Sequence, residues 1–323
     1  MMSKQAAMRD AYGEALLELG AANRDVVVVG ADTTGSLKSG IFSSKFPERF
    51  FNVGIAEQNL VSIAAGLALA GKVAYAGTYA IFVPGKSVDQ IRNNIAYPNL
   101  NVKMVCSHGG ISVGPDGASH QQVEDIAIMR AIPRMKVIVP GDAPSTKGVI
   151  KAIADIPGPF YVRLTRPSTP VVYENGFEYR FGKAEVLRDG SDVAVFACGI
   201  MVPEALKAAE ALKARGVSAA VADVHTVKPI DAGTITKLAR ECGRVVTAEE
   251  HNVMGGMGSA VAEVLGEECP TLMKRVGVMD TFGESGDAAE LLKKYGLTSD
   301  SIEQAALSLA AGATSQARRP ERS

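Results

Sequence analysis

This chain has almost no net charge: 34 Lys and Arg stand against 35 Asp and Glu in 323 residues. That balance gives no electrostatic case for binding nucleic acid or a membrane surface. No apolar run reaches the roughly 18 residues needed to cross a bilayer. Met1-Met2-Ser3-Lys4-Gln5 is too polar for a secretory signal. Cysteine is scarce: Cys106, Cys198, Cys242 and Cys269 are scattered without metal-like spacing. Three of them follow or sit in apolar runs, as small buried thiols of a reducing compartment do, so the expected location is the cytoplasm. There is no Gly-x-Ser-x-Gly nucleophile elbow and no Walker-type phosphate loop, and Gly255-Gly256-Met257-Gly258 lacks dinucleotide-binding spacing.

What is present is an ordinary globular composition, 47% hydrophobic and 21% charged, long enough for two domains. Met8, Ala11, Tyr12, Ala15, Leu16 and Leu19 recur at helical spacing. Asp25 to Gly30 is an apolar run of the kind buried on both faces of a parallel sheet. Strand and helix patterns then alternate: strands near 72–76, 102–106, 137–140 and 160–164, helices near 88–95, 122–131 and 143–156. This alternation predicts an α/β fold of two open sheets. The rhythm breaks at Thr165 to Arg180, where Pro167, Pro170, Asn175 and Gly176 fall. The expected division is therefore a domain over 1–165, a linker over 166–182, a domain over 183–312 and a flexible tail over 313–323. Strands near 192–197, 218–223 and 244–248 and helices near 203–215, 232–242 and 257–265 are predicted in the second domain.

Chemistry is expected in loops that follow strands, because α/β sites lie at the carboxyl ends of strands. Four such loops stand out: 30–36, 77–82, 107–120 and 163–167. The third holds His108 and His120, half of the histidines in the chain, with Asp116 between them. A metal site with Glu124 and Asp125, loop capping, and acid–base or hydroxyl-binding work are all open for it on residue type alone. One carboxylate is oddly placed. Glu57 stands between the strand-like Phe51-Asn52-Val53 and the apolar helix-like run Leu60 to Ala70. Either the dipole of the following helix holds it, or its setting serves a shifted proton affinity.

Three motifs together carry a family resemblance: Asn52-Val53-Gly54-Ile55-Ala56-Glu57-Gln58-Asn59, Gly114-Pro115-Asp116-Gly117-Ala118-Ser119-His120-Gln121, and Val245-Val246-Thr247-Ala248-Glu249-Glu250-His251. Over roughly residues 5–312 the chain resembles the pyrimidine-binding and C-terminal domains of transketolase, as found in the second subunit of split, two-chain members. The first motif is shared with deoxyxylulose-phosphate synthases and is similar to 2-oxo acid dehydrogenase β subunits. The resemblance implies thiamine diphosphate as cofactor and transfer of a two-carbon ketol unit from a ketose to an aldose, in carbohydrate metabolism of the pentose phosphate type. It implies that Glu57 hydrogen-bonds N1′ of the aminopyrimidine, that Tyr79 and Phe82 pack on that ring, and that Asp32 also lies on the cofactor side. His108 and His120 would act at the reacting oxygen and the sugar hydroxyls, Asp116 would bind a hydroxyl, and Arg166 and Ser36 would hold a terminal phosphate. In the resemblance, Lys4 stands where the family has a further phosphate-binding arginine just before the first helix, which leaves unphosphorylated, sulfonated and branched sugars open beside phosphorylated ones.

The family's Gly-Asp-Gly motif with its downstream Asn, which holds Mg²⁺ and the diphosphate, has no counterpart beyond Gly141-Asp142-Ala143. No metal is therefore expected on this chain. The resemblance implies an N-terminal partner subunit carrying the Mg²⁺ site, in an α₂β₂ assembly with β–β contacts, inactive as a lone chain. The alternatives are a 2-oxo acid dehydrogenase-like β subunit and a non-catalytic regulatory partner.

Overall fold

The computed structural model describes residues 4–174 and 176–316. Twelve strands build its two main sheets. In chain order they are β1 (Val26–Gly30), β2 (Phe50–Asn52), β3 (Val73–Gly77), β4 (Val102–Cys106), β5 (Lys136–Ile138), β6 (Phe160–Arg163), β7 (Glu185–Arg188), β8 (Val193–Ala197), β9 (Ala219–Asp223), β10 (Thr226–Lys228), β11 (Arg244–Asn252) and β12 (Leu272–Val278). The first sheet runs β10-β5-β6-β4-β3-β1-β2 and the second β12-β11-β8-β9-β7. Strands within each sheet are parallel except β10 and β7, which join antiparallel. The expected pair of open α/β sheets is what the chain forms.

The buried valines of β1 explain why it reads as a continuous apolar run: helices cover both faces of its sheet. Val27 and Val29 pack with Leu60, Val61 and Ala64 of helix Glu57–Leu69, whereas Val26 and Val28 pack with Tyr12 and Leu16 of helix Met8–Ala22. The former cluster continues through Tyr161 into Phe196, Ile235 and Val261 of the second unit. Burial of this kind contributes about 1.5–3 kcal/mol per large side chain.

Several elements differ from the sequence reading. The helix expected from Gln122 starts at Asp125. Residues 122 and 123 are instead held by the N–H groups of Gly110 and Asn252, each 2.7 Å from a carbonyl oxygen. The helix from Ala143 stops at Ala152 and tightens into a short 3-10 turn, after a start capped by Asp142 and Ser145. β10, β12 and the helices Ala288–Lys294 and Ser299–Gln316 carry no strong periodic signal and were not expected. The last of these runs four residues into the segment read as tail; Asn175 and residues 317–323 lie outside the described residues. The linker is fastened at several points: Thr169–Pro170 pairs with Gln5–Ala6, and the Tyr173 hydroxyl donates to Asp223 over 2.8 Å.

One core residue is a cation. Lys103 of β4 is fully buried, with its Nζ donating to the carbonyls of Ile156 (2.6 Å) and Gly158 (3.1 Å) and standing 4.3 Å from the centre of the Phe160 ring. Burial, with Lys136 nearby, lowers its pKa from 10.5 to about 7. Above that value an unfolded chain still binds the proton that the folded chain has lost, so rising pH favours folding through this group. Urea midpoints should therefore rise from pH 7 to pH 8.5, and Lys103→Met should flatten the rise; an equal rise in the variant rejects the assignment.

Candidate active site

The loops after β1, β2, β3, β4 and β6 all emerge at one edge of the first sheet, and the residues singled out from sequence meet there. Glu57 is the first residue of its helix and only 6% exposed. Its Oε2 lies 3.4 Å from Lys86 Nζ, and that ammonium also stands 4.4 Å from the centre of the Phe82 ring. Phe82 and Tyr79 stack with centroids 5.7 Å apart, and Tyr79 stacks on His108 at 3.8 Å. His120 meets Phe82 edge-on at 5.5 Å. The Tyr79 hydroxyl donates to Ser36 Oγ over 2.9 Å.

Ser36 leads to a residue that the sequence reading missed. Arg9 donates from Nη1 to the Ser36 carbonyl (2.9 Å) and from Nη2 to the Arg166 carbonyl (3.0 Å), while its Nε is buried without a partner. Burial and then the adjacent Arg166 push the Arg9 guanidinium below its usual pKa. The Arg9 guanidinium therefore lies against the Arg166 backbone and within reach of that residue's charge, and among the described residues neither arginine makes an ion pair. Lys4, expected at this position, is exposed and instead supports the linker through its carbonyl, which accepts from Val171 N–H. A signal for Arg9 was present: a cation in the first turn of a helix opposes the helix dipole, so a compensating anion is called for.

His108 is 2% exposed, sits at φ +60° and bonds Ser107 Oγ through Nδ1 over 2.7 Å. Burial, then Arg9, Arg166 and His120, lower its pKa to about 3, so its ring is neutral at working pH. His120 is half-buried and bonds Ser119 through Nδ1. Asp116 is exposed on the short helical turn Ile111–Asp116. Asp32 lies slightly apart, paired with Asn52 through its backbone N–H (3.0 Å) and Oδ1 (3.2 Å). Thr33 beside it bonds Thr78 over 3.0 Å, which ties this loop to the aromatic one.

Below the rim lies a buried polar cluster. Arg163 Nε bonds Asp125 (2.9 Å), Tyr161 donates to the same carboxylate (2.6 Å), and Arg163 Nη2 reaches the Glu250 carbonyl (2.8 Å). Burial raises the Glu250 carboxyl above its ordinary pKa, with Arg163 and the Ser112 N–H opposing. Glu249, by contrast, accepts from the N–H groups of Met257 (2.6 Å) and Gly258 (2.8 Å) and so holds the start of the helix Met257–Glu268. A groove of about 1300 Å³ elsewhere, between Glu14, Glu18, Lys147 and Lys151, is lined by charges that pair with one another. Among the described residues no group of three His, Cys, Asp or Glu side chains could hold a metal, and no helix is long and apolar enough to cross a membrane.

The edge fits an aminopyrimidine. Lys86 shows that one cationic nitrogen can rest on the Phe82 face and meet Glu57 at once, the pair of contacts a protonated pyrimidine needs. Known proteins agree. Residues 4–171 match the transketolase pyrimidine-binding domain and residues 182–302 the transketolase C-terminal domain. A chain of Methanocaldococcus jannaschii provisionally named a transketolase C-terminal section is 50% identical over 298 residues, 91% of this chain and 93% of that one. A 6-deoxy-6-sulfo-D-fructose transketolase subunit of a Clostridium species is 43% identical, covering 93% of each chain. The solved structure of a split-gene transketolase, described as an inactive β4 tetramer, superposes with a TM-score of 0.87 at 46% identity, covering 94% of this chain and 98% of that one. The chain therefore belongs to the transketolase family and carries its pyrimidine-binding and C-terminal domains.

Proposed function

We propose that this chain is the C-terminal subunit of a thiamine diphosphate-dependent transketolase that moves a two-carbon ketol unit from a ketose with an anionic end to an aldose. The contiguous rim from Glu57 through Phe82 and Tyr79 to Ser36, Arg9 and Arg166 carries this reading: a pyrimidine site and an anion site share one edge. Thiamine diphosphate, when bound, would supply a nucleophilic carbon able to add to a ketose carbonyl. Glu57 shares a proton with the pyrimidine N1′, and Lys86 swings off the Phe82 face to admit the ring. Tyr79 and Phe82 orient it. Asp32, tied to Asn52, steadies the loop on the cofactor side.

His108, neutral through burial, hydrogen-bonds sugar oxygens without carrying a positive charge. His120, nearer solvent, moves the proton at the reacting oxygen. Asp116 binds a neighbouring hydroxyl. Arg9, Arg166 and Ser36 hold the terminal anion, where planar forks match phosphate and sulfonate oxygens alike. Mg²⁺ and the diphosphate belong to a partner N-terminal subunit, because this chain lacks Gly-Asp-Gly. The assembly is α₂β₂ with β–β contacts, working in the cytoplasm on sugar phosphates or related ketoses.

Co-expression with a chain that carries Gly-Asp-Gly, followed by a screen of phosphorylated, sulfonated and neutral ketoses, tests the reading. Ketol transfer by the pair and none by either chain alone is expected; failure with every ketose class rejects it. Arg9→Ala should raise KM for the anionic donor by about 10- to 100-fold, consistent with loss of charge-assisted hydrogen bonds worth roughly 1.5–3 kcal/mol. KM for a neutral ketose should stay nearly unchanged. Equal losses on both donors remove Arg9 from the anion site.

A further inference from the structure

We propose that Glu250, from the second α/β unit, is a positioning residue that fixes the loop carrying Asp116 and His120. Glu250 lies on β11 and is 2% exposed. Its Oε1 accepts the Ser112 N–H over 2.6 Å, at the start of the turn Ile111–Asp116. The carboxyl presses on the loop backbone so closely that only glycine fits at 110: a Cβ there would stand 2.2 Å from Glu250 Cδ, and φ is +88°. Ser112 Oγ bonds Thr165 Oγ1 over 2.9 Å, and the Val113 carbonyl accepts from Arg166 Nη1. The loop position that Glu250 sets therefore passes to Arg166.

The same unit holds the far end of the loop. Gln121 Nε2 donates to the carbonyls of Ile111 (3.1 Å), Gly114 (3.3 Å) and Glu284 (2.9 Å). Asp116 is exposed and makes no side-chain hydrogen bond among the described residues, so its place follows from the backbone beneath it. Glu57, Tyr79 and Phe82 stand on loops that Glu250 does not touch. Losing Glu250 then displaces the sugar-selecting groups and spares the pyrimidine site. This assigns the second unit work in substrate recognition. Its kinetic consequence rests on the function proposed above; the anchoring of the loop does not.

The test has two parts. In the full chain alone, hydrogen exchange of the amides of residues 111–114, 116 and 117 should quicken at least about 10-fold in Glu250→Ala. Glu250→Gln, which retains an acceptor oxygen, should stay within about 3-fold of the parent. In the assembled enzyme, Glu250→Ala should raise the ketose KM by about 10-fold or more, since displacements near 1 Å cost up to 10². Thiamine diphosphate affinity, measured by calorimetry, should change less than about 2-fold. Gly110→Ala, which expels the carboxylate, should reproduce the exchange result and add little to Glu250→Ala. Unchanged exchange in both Glu250→Ala and Gly110→Ala overturns the anchoring, and a cofactor affinity that falls in step with the ketose KM overturns the positioning role in substrate recognition. A parent assembly without ketol transfer fails the proposed function and leaves the exchange result to decide the anchor.

Discussion

Replacing Glu57 with alanine in the assembled enzyme should lower kcat by at least ~10²-fold, the scale on which positioned proton transfer contributes. The two roles open for this residue separate cleanly. A carboxylate that only complements the helix dipole is worth about 0.3–1 kcal/mol of stability and nothing in turnover. One that shares a proton with the pyrimidine would control how much active cofactor forms, while leaving the proposed sugar contacts of Arg9, Arg166 and Asp116 in place. The expected signature is thus a collapse of kcat with ketose KM close to the parent value. Glu57→Gln should resemble the alanine variant, because an amide preserves shape but cannot carry the proton. The location supports this assignment: Glu57 is 6% exposed and meets the half-exposed Lys86, which stands over the Phe82 ring. Turnover within about 2-fold of the parent in Glu57→Ala would falsify the proton-sharing role.

Asp125→Ala should destabilise the chain by about 3–5 kcal/mol, the cost of stranding a buried charge whose partner is removed. Arg163 is 4% exposed and Asp125 fully buried. Burial alone would depress the Arg163 guanidinium, and Asp125 with Glu250 more than restores it. Without Asp125 the cation keeps only the carbonyls of Gln122 and Glu250, and the Tyr161 hydroxyl loses its acceptor. Against a total stability of about 5–15 kcal/mol for a typical domain this is a large fraction, and the melting midpoint should fall on the order of 10 °C. Asp125→Asn, which keeps an acceptor for Tyr161, should fall less. An unchanged midpoint in Asp125→Ala would show that water or a rearranged carboxylate replaces the partner.

Much of this was legible because it is local. Glu57 precedes its helix within one motif, Tyr79 and Phe82 fall on one short loop, and His108, Asp116 and His120 share another. Spacing along the chain is enough to group such residues. The parallel sheet was also legible, since strands buried on both faces have to be apolar throughout. β10 was not: three residues of the second unit complete the first sheet, a pairing with Ile138 across nearly 90 positions that no local pattern encodes. Arg9 was missed for the same reason. Its partners Ser36 and Arg166 are 27 and 157 positions away, and only packing of the first helix brings them together.

Composition and motifs by themselves determined the α/β class and the family, because periodicity and short-range grouping depend on neighbours in sequence. Tertiary structure alone decided the rest. It set Lys86 over the Phe82 ring beside Glu57, laid Arg9 against the Arg166 carbonyl, buried His108 so that its pKa falls, and brought Glu250 from the second unit under the histidine loop. Each of these depends on burial and on distances of a few ångströms between remote segments, and both arise only when the chain closes on itself.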